Sequence, residues 1–294
     1  MALNNLLAGE LKLTLDIILS LLLGEIILRF DLARRFLKRL NFINPTTALA
    51  LTLSLGSSKT GAGVLANALE KNLISEKVVI WSVLMLPFIS YLKRWPGTFL
   101  MSTSMAGIAG SIFALFLLLR SAGRFFVALS FLKKCDSPEI LNLKIEVQRH
   151  KFNLKSMFKK LARSLPISWL FFALAYSLIP YINKILEGAL KNNFVLIPFE
   201  GWTIAAASIS HITAALALTN GALNSGALNN FQALFALILG SALGILTRIL
   251  RQDASYYFGL FKFRVALKIL ILNFLTVIPF VIMSLIFAYI GLLF

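Results

Sequence analysis

Two short polar stretches interrupt otherwise apolar sequence, and each contains one residue that can carry a positive charge. In the first, GSSKTGAG at residues 56–63, Lys59 stands among serine and threonine hydroxyls. In the second, SISHIT at residues 208–213, His211 stands among the same residue types. An amine, an imidazole and several hydroxyls donate and accept hydrogen bonds, so these residues suit the recognition of a small polar solute.

Short helices must position these groups. Residues 45–55 are apolar, and eleven helical residues reach roughly 16 Å, about half the thickness of a hydrocarbon core. The glycines that follow are expected to loosen the helix, and a second short helix is expected at 62–72. A broken helix at membrane depth lines a polar cavity or is buried in protein, and it is a usual binding place for a transported solute. The alternative is one complete transmembrane helix with a polar kink.

The composition is that of an integral membrane protein. Hydrophobic residues make up 59% of the 294 residues, above the roughly 45–50% that is typical of soluble domains. The net charge is +17, but the basic residues lie beside apolar segments, where they orient the chain and contact anionic lipid headgroups. Nucleic acid is therefore not an expected partner. The single cysteine, Cys135, excludes an intrachain disulfide and a cysteine cluster, and neither a metal site nor a cofactor is predicted.

The chain reads as two halves with the same order of segments, namely a span, a broken segment and two further spans. The first half is residues 1–132 with its broken segment at 45–72, and the second half is residues 164–294 with its broken segment at 201–227. A basic connector, 133–163, separates the halves and is expected to be cytoplasmic. The sequence thus predicts two membrane repeats joined by a polar segment.

The distribution of lysine and arginine favours an inverted arrangement. If both broken segments are re-entrant, the connecting segments hold 21 basic residues on one side and 5 on the other, whereas full crossings give 14 and 12. Because basic residues concentrate in cytoplasmic loops, only the re-entrant arrangement keeps the expected bias. The predicted fold is an all-α polytopic membrane helix bundle made of two inverted repeats, each with a re-entrant broken-helix hairpin. It is expected in the cell membrane as a multi-pass protein with its N-terminus outside and its basic loops in the cytoplasm.

Two local details are also predicted. Pro96 and Gly97 are expected to form a tight turn between two spans, and the small residues after them to allow close packing of helices.

Aligning GSSKTGAG with SISHITAA places Lys59 opposite His211. These two side chains are therefore expected to approach each other near the middle of the membrane.

At GSSKTGAGVLANALEKNLISEKVVIWSVL and at AAASISHITAALALTNGALNSGAL the chain resembles the nucleoside recognition, or Gate, domain family. Related domains occur in concentrative nucleoside transporters, in the membrane part of ferrous-iron transport protein B and in sporulation membrane proteins. The resemblance implies a polytopic fold with paired re-entrant hairpins whose tips recognise a solute. The substrate-binding residues that it implies are Ser57, Ser58, Lys59, Thr60, Asn67, Ser208, Ser210, His211, Thr213 and Asn220.

The expected function is a transporter-like membrane protein that recognises a small polar solute, such as a nucleoside, between the two hairpin tips. A membrane scaffold or assembly protein without transport is an alternative. A metal-ion permease related to the membrane part of ferrous-iron transporters is another, although the sequence contains no GxxxxGK[ST] loop for a GTPase. Since no Ser-His-acid or HExxH combination is present, no catalytic residue is assigned and an enzyme is not expected. Membrane lipid is the expected partner, and homo-oligomerisation is left open.

Overall fold

A computed structural model describes residues 43–135 and 197–293, together with a few isolated helical positions in the N-terminal and central regions. Within these ranges the chain is helical and has no β-strand. Residues 11–30 and 164–183 are the expected first spans of the two halves, and most of them, like most of the connector at 133–163, lie outside the described residues. The all-α class predicted from the sequence is therefore observed in the part of the chain that the structure describes.

Eight α-helices follow one another in the described ranges. They are α1 (Pro45–Ser54), α2 (Ser58–Glu70), α3 (Glu76–Cys135), α4 (Phe199–Ser210), α5 (Ile212–Asn224), α6 (Asn230–Arg248), α7 (Ser255–Leu260) and α8 (Phe263–Leu293). A π-helical turn, Ile249–Ala254, joins α6 to α7 without a gap. The helices α6 and α7 and this π-helical turn therefore form one continuous helix.

Two groups of helices share the same order and spacing. The helices α1, α2 and α3 begin at residues 45, 58 and 76, and α4, α5 and α6 begin 154 residues later, at 199, 212 and 230. The turns that follow α2 and α5 repeat as well, since Asn72 and Gly226 both have a positive φ, 54° and 71°. The described chain thus contains a structural repeat with a constant offset.

Side chains fix where several of these helices begin. The Asn44 side chain accepts a hydrogen bond from the Thr46 N–H at 2.9 Å, and Pro45 occupies the first helical position, where its fixed φ suits a helix. Before α6, Asn229 accepts from the Gln232 N–H at 2.8 Å, and the Gln232 side chain accepts from the Asn229 N–H at 2.9 Å. This reciprocal pair is a capping box, which satisfies two backbone donors at the start of α6.

The long helix α3 is two antiparallel helices joined at Gly107. Gly107 has φ 53° and ψ −133°, a conformation that favours glycine. Ser102 precedes this reversal and Gly110 follows it, and a Cβ on Gly110 would collide with the Ser102 carbonyl oxygen. Further out, the Trp95 Nε1–H donates to the Ala114 carbonyl oxygen at 3.2 Å. The chain therefore doubles back at Gly107, and small residues allow the two helices to touch.

The predicted turn at Pro96 and Gly97 is wrong, because both residues lie inside the first of these two helices. Gly97 does not have the positive φ that Gly107 has. A proline-glycine pair is a strong turn signal in exposed loops. In an apolar helix, however, neighbouring groups compensate for the missing proline N–H, so the helix continues. The close packing expected of the small residues is observed at Gly110.

The described helices fall into two compact units. Unit 1 comprises Met1–Lys93, Ala122–Ala173 and Ala254–Asn273, and unit 2 comprises Arg94–Ser121, Leu174–Asp253 and Phe274–Phe294. Unit 1 contains α1 and α2, and unit 2 contains α4 and α5. Phe261 is an extended residue between α7 and α8, and the chain reverses there, so that Gly291 lies against Phe231. Gly107 of the first half lies in unit 2, and Phe261 of the second half lies in unit 1. The compact units therefore do not coincide with the sequence halves.

Three helical stretches of the described chain are long and apolar enough to cross a membrane, namely Glu76–Cys135, which doubles back at Gly107, Asn230–Leu260 and Phe263–Leu292. Large apolar side chains of α8 remain exposed, including Leu275, Met283 and Ile286 at 53%, 65% and 52%. A surface of this kind suits contact with lipid. The described part of the chain thus supports a membrane protein.

Candidate functional site

The first polar stretch forms a three-residue break between α1 and α2, in unit 1. The N–H groups of Leu55 and Gly56 donate back into the last turn of α1 at 3.2 and 3.0 Å. Ser57 then adopts an extended conformation as the N-cap of α2, and its Oγ accepts a hydrogen bond from the Lys59 N–H at 3.3 Å. The hydroxyl of Ser57 therefore satisfies one of the free donors at the start of α2.

Ser58, Lys59 and Thr60 lie in the first turn of α2, whereas the sequence pattern places them inside the break and starts the helix at residue 62. The cap at Ser57 explains this difference, because it allows the helix to begin earlier. All three side chains are half-buried. Their amine and hydroxyl groups are thus held by helical backbone at the edge of the break.

A glycine at position 61 allows the chain to fold back after the break. A Cβ on Gly61 would lie 2.5 Å from the Ala50 carbonyl oxygen and 3.2 Å from the methyl groups of Leu86. Since Ala50 belongs to α1 and Gly61 to α2, the two short helices pack against each other as a hairpin. The sequence pattern predicts that the glycines loosen the helix, but at this position glycine permits close packing instead.

Tyr256 contacts Lys59 in two ways, and both residues lie in unit 1. The Tyr256 Oη donates a hydrogen bond to the Lys59 carbonyl oxygen at 2.7 Å. The Lys59 Nζ lies 5.4 Å from the centroid of the Tyr256 ring, in a cation–π arrangement. Tyr256 itself is only 2% exposed. Tyr256 could not be predicted from the sequence, because a partner 197 positions away leaves no local pattern.

The second break, in unit 2, is a single extended residue. His211 has φ −146° and ψ 108°, and it separates α4 from α5. Its side chain is exposed and does not cap α5. Ser210 is the last residue of α4, and Thr213 lies exposed in the first turn of α5. The imidazole and the Thr213 hydroxyl are thus accessible at the start of α5.

Ser208 lies just before this break and is buried, with 7% exposure. Its Oγ has no hydrogen-bond partner among the residues that the structure describes. A Cβ on Gly240 of α6 would lie 2.6 Å from the Ser208 Cβ, so α4 and α6 touch closely here. A buried hydroxyl without a partner is unfavourable in apolar surroundings, and a solute or a water molecule can satisfy it.

The repeat pairs Ser57 with His211 and Lys59 with Thr213, each pair 154 residues apart, because α2 and α5 start at equivalent residues and both contain 13 residues. The sequence alignment, which places Lys59 opposite His211, is therefore shifted by two residues. The amine and the imidazole occupy different positions in their repeats. The expected approach of Lys59 to His211 stays a prediction.

Asn67 and Asn220 lie far from the breaks along their helices. Asn67 is ten residues beyond Ser57 and Asn220 is nine beyond His211, which are about 15 and 14 Å of helix. Asn67 is buried, at 3% exposure. Asn220 is exposed, and its Oδ1 accepts a hydrogen bond from the Asn224 Nδ2 at 3.1 Å. The structure therefore places the two asparagines apart from the residues that surround each break.

Within the described ranges, no three His, Cys, Asp or Glu side chains form a group that could hold a metal ion. Glu76, at the start of α3, forms an ion pair with Lys268 instead, with 2.6 Å between Oε1 and Nζ. Both side chains are partly exposed, so this pair contributes little to stability. The polar side chains that surround the two breaks carry hydroxyls, an amine and an imidazole instead of a group of metal ligands.

Comparison with known proteins identifies a protein of similar sequence. An uncharacterized protein of Methanocaldococcus jannaschii is 25% identical over 249 residues, which are 81% of this chain and 77% of that protein. No protein-family profile matches the chain. No solved structure matches it either. The similarity extends over most of both chains, and it assigns no activity.

Proposed function

We propose that this chain is a multi-pass, transporter-like membrane protein and that a small polar solute binds at its helix breaks. The observation that carries this proposal is the repeated break. Two helices of an apolar chain, α1 and α4, stop after 10 and 12 residues, and a polar N-cap residue, Ser57 or His211, precedes the helix that follows each one. Discontinuous helices of this kind present helix ends and polar groups to a solute within the membrane.

The lengths of the short helices support a re-entrant path for each broken segment. The 10 residues of α1 and the 13 residues of α2 reach about 15 and 20 Å, against a hydrocarbon core of about 30 Å. The contact of Gly61 with Ala50 means that the chain returns beside α1 after the break. A segment that enters to mid-depth and returns to the same side accounts for both observations.

The charges at the two long-hairpin reversals support the inverted arrangement. Residues 95–119, around the reversal at Gly107, contain no charged side chain, whereas the equivalent reversal at Phe261 is followed by Lys262, Arg264 and Lys268. The positive-inside bias places the second reversal in the cytoplasm and leaves the first outside. Equivalent points of the repeat on opposite sides of the membrane define inverted repeats, with the N-terminus outside.

The chemistry of the breaks defines the class of solute. At the second break, the exposed Thr213 hydroxyl, the exposed imidazole of His211 and the buried Ser208 hydroxyl donate and accept hydrogen bonds. A solute with several hydroxyl or amide groups satisfies such a set, whereas an apolar solute does not. The resemblance to nucleoside recognition domains makes nucleosides the first solutes to test.

The test is equilibrium binding to the purified full-length chain in detergent micelles, with nucleosides, nucleobases, inorganic anions and divalent cations as probes. We expect saturable binding of a nucleoside, measured by the shift in melting temperature and by calorimetry. Saturable binding of a divalent cation alone would favour the permease alternative and overturn the proposal. The absence of binding by every probe would favour a scaffold and also overturn it.

A matched pair of variants locates the bound solute. Ser208→Ala removes the buried hydroxyl beside the second break, and it should weaken binding about tenfold or more if the solute supplies the missing partner. Ser241→Ala is the control, because Ser241 is buried in α6 at 5% exposure but its Oγ already donates to the Ile238 carbonyl oxygen. Equal affinity of both variants and the wild type would place the solute elsewhere.

A further inference from the structure

We propose that Tyr256 is a positioning residue for Lys59, and that the π-helical turn preceding it aims the tyrosine at the first break. This inference rests on the proposed function, in which the first break contacts the solute. The hydrogen bond from Oη to the Lys59 carbonyl oxygen, 2.7 Å, holds the backbone of the first turn of α2. The ring, 5.4 Å from Nζ, holds the ammonium group. One buried residue thus contacts both the carbonyl oxygen and the ammonium group of Lys59 and holds them in place.

Lys59 occupies an unfavourable place for a cation. It is the second residue of α2, and a helix N-terminus carries partial positive charge, which repels an ammonium group. The apolar sequence around the break disfavours the charge as well. The face of an aromatic ring attracts a cation, so Tyr256 offsets part of this penalty and selects one orientation of the side chain. Tyr256→Leu would remove this attraction from the ammonium group.

The π-helical turn explains how Tyr256 reaches Lys59. The turn covers Ile249–Ala254, and Tyr256 follows two residues later in α7. A π turn holds one residue more than an α turn, so the residues beyond it are rotated by about 100° relative to a continuous α-helix. The repeat-equivalent residues 95–100 of α3 are α-helical. The π turn and its rotation therefore occur in the second copy of the repeat and not at the equivalent residues of the first. Tyr256, the partner of Lys59, belongs to this second copy.

Nuclear magnetic resonance of methylated lysines tests the positioning directly. The lysines of the full-length chain in micelles are reductively methylated with ¹³C-formaldehyde, and Lys59→Arg identifies the Lys59 signal by its loss. Methyl protons above the Tyr256 ring should resonate upfield of the other lysine methyls. Tyr256→Leu should move this signal into the main group, whereas Tyr256→Phe keeps the ring and should leave it upfield. Tyr257→Phe, at the neighbouring buried tyrosine, is the control and should change nothing.

Two results would overturn the positioning role. One is a wild-type Lys59 signal inside the main lysine group, and the other is an upfield signal that Tyr256→Leu does not move. If Tyr256→Leu does not fold, Tyr256→Met serves as the second variant, because its flexible side chain fills the buried site without an aromatic ring. It should abolish the upfield shift as Tyr256→Leu does.

The same signals separate this inference from the proposed function. Uridine is the probe, and in the wild type it should move the Lys59 signal. Tyr256→Leu should bind uridine several-fold more weakly than the wild type. Lys59→Arg, which lacks the amine, is the reference for that loss of affinity. An upfield Lys59 signal that no probe moves would retain the positioning role and overturn solute binding at the first break. Uridine binding without any upfield signal would overturn the positioning role alone.

Discussion

Ser54 and Ser208 occupy equivalent positions in the two copies of the repeat, 154 residues apart, and both are buried, at 0% and 7% exposure. The Ser54 Oγ donates a hydrogen bond to the Leu51 carbonyl oxygen at 2.6 Å. The Ser208 Oγ has no partner among the residues that the structure describes. The two copies therefore differ in hydrogen bonding directly before the helix break, and this difference marks the second break as the one with an unmet polar group.

Substitution of these two serines should affect stability differently. Ser54→Ala removes an existing hydrogen bond and should lower the free energy of unfolding by about 0.5–1.5 kcal/mol. Ser208→Ala removes a buried hydroxyl that makes no such bond, so it should be neutral or stabilising. Denaturant unfolding in detergent micelles without solute measures both. A loss for Ser208→Ala as large as that for Ser54→Ala would mean that the Ser208 hydroxyl is already satisfied.

Close helix contacts at two glycines should make alanine destabilising there. In Gly61→Ala the new methyl group meets the Ala50 carbonyl oxygen at 2.5 Å, and in Gly240→Ala it meets the Ser208 Cβ at 2.6 Å. Each should lower the free energy of unfolding by about 1–3 kcal/mol. Gly221→Ala is the control, since a Cβ at Gly221 has nothing within 4 Å. Equal stability of all three variants would show that α1 with α2, and α4 with α6, pack less closely.

The reversal at Gly107 gives a test of helix continuity. Gly107→Ala forces a residue with a Cβ into φ 53° and ψ −133°, a sparsely populated conformation that costs about 1–3 kcal/mol. Gly97→Ala should instead be neutral or stabilising by up to about 1 kcal/mol, because Gly97 lies in helix with open space around it. Thermal unfolding of the two variants decides the matter. The reverse order of stabilities would place the turn at Pro96 and Gly97 after all.

Single cysteines at the two reversals test the inverted arrangement. In a Cys135→Ser background, which removes the single native cysteine, Ile108→Cys, beside Gly107 and at a position 65% exposed, should react with a membrane-impermeant reagent applied outside intact cells. Lys262→Cys should react only after the membrane is permeabilised, because the basic reversal is expected to be cytoplasmic. Labelling of both cysteines from the same side would contradict the inverted repeats.

The existence of the breaks was accessible from the sequence, but their limits were not. The polar residues between 56 and 63 and between 208 and 213 mark the interruptions, and the structure places a break inside or beside each stretch. The end of the first break depends on the Ser57 cap, which outweighs the tendency of glycine to loosen a helix. The role of Gly61 depends on Ala50 of the preceding helix, a contact that no single-helix pattern contains.

Longer-range features were less predictable still. Pro96 and Gly97 carry the stronger local turn signal, yet the chain reverses at Gly107, and beyond this reversal Gly110 lies directly against Ser102. Tyr256 reaches Lys59 only because a π-helical turn rotates it, and a π turn has no sequence signature of its own. Residues that meet across such distances follow from tertiary packing rather than from periodicity.

Accessibility of the second break to a charged thiol reagent tests the central claim most directly. His211→Cys and Met283→Cys, each in the Cys135→Ser background and reconstituted in liposomes, place thiols at two exposed positions of the structure. We expect a charged methanethiosulfonate to modify the cysteine at 211 and a bound nucleoside to slow this reaction. The cysteine at 283 should stay unmodified because it faces lipid. An unreactive cysteine at 211, or equal reactivity at both positions, would contradict a polar solute site at the helix break.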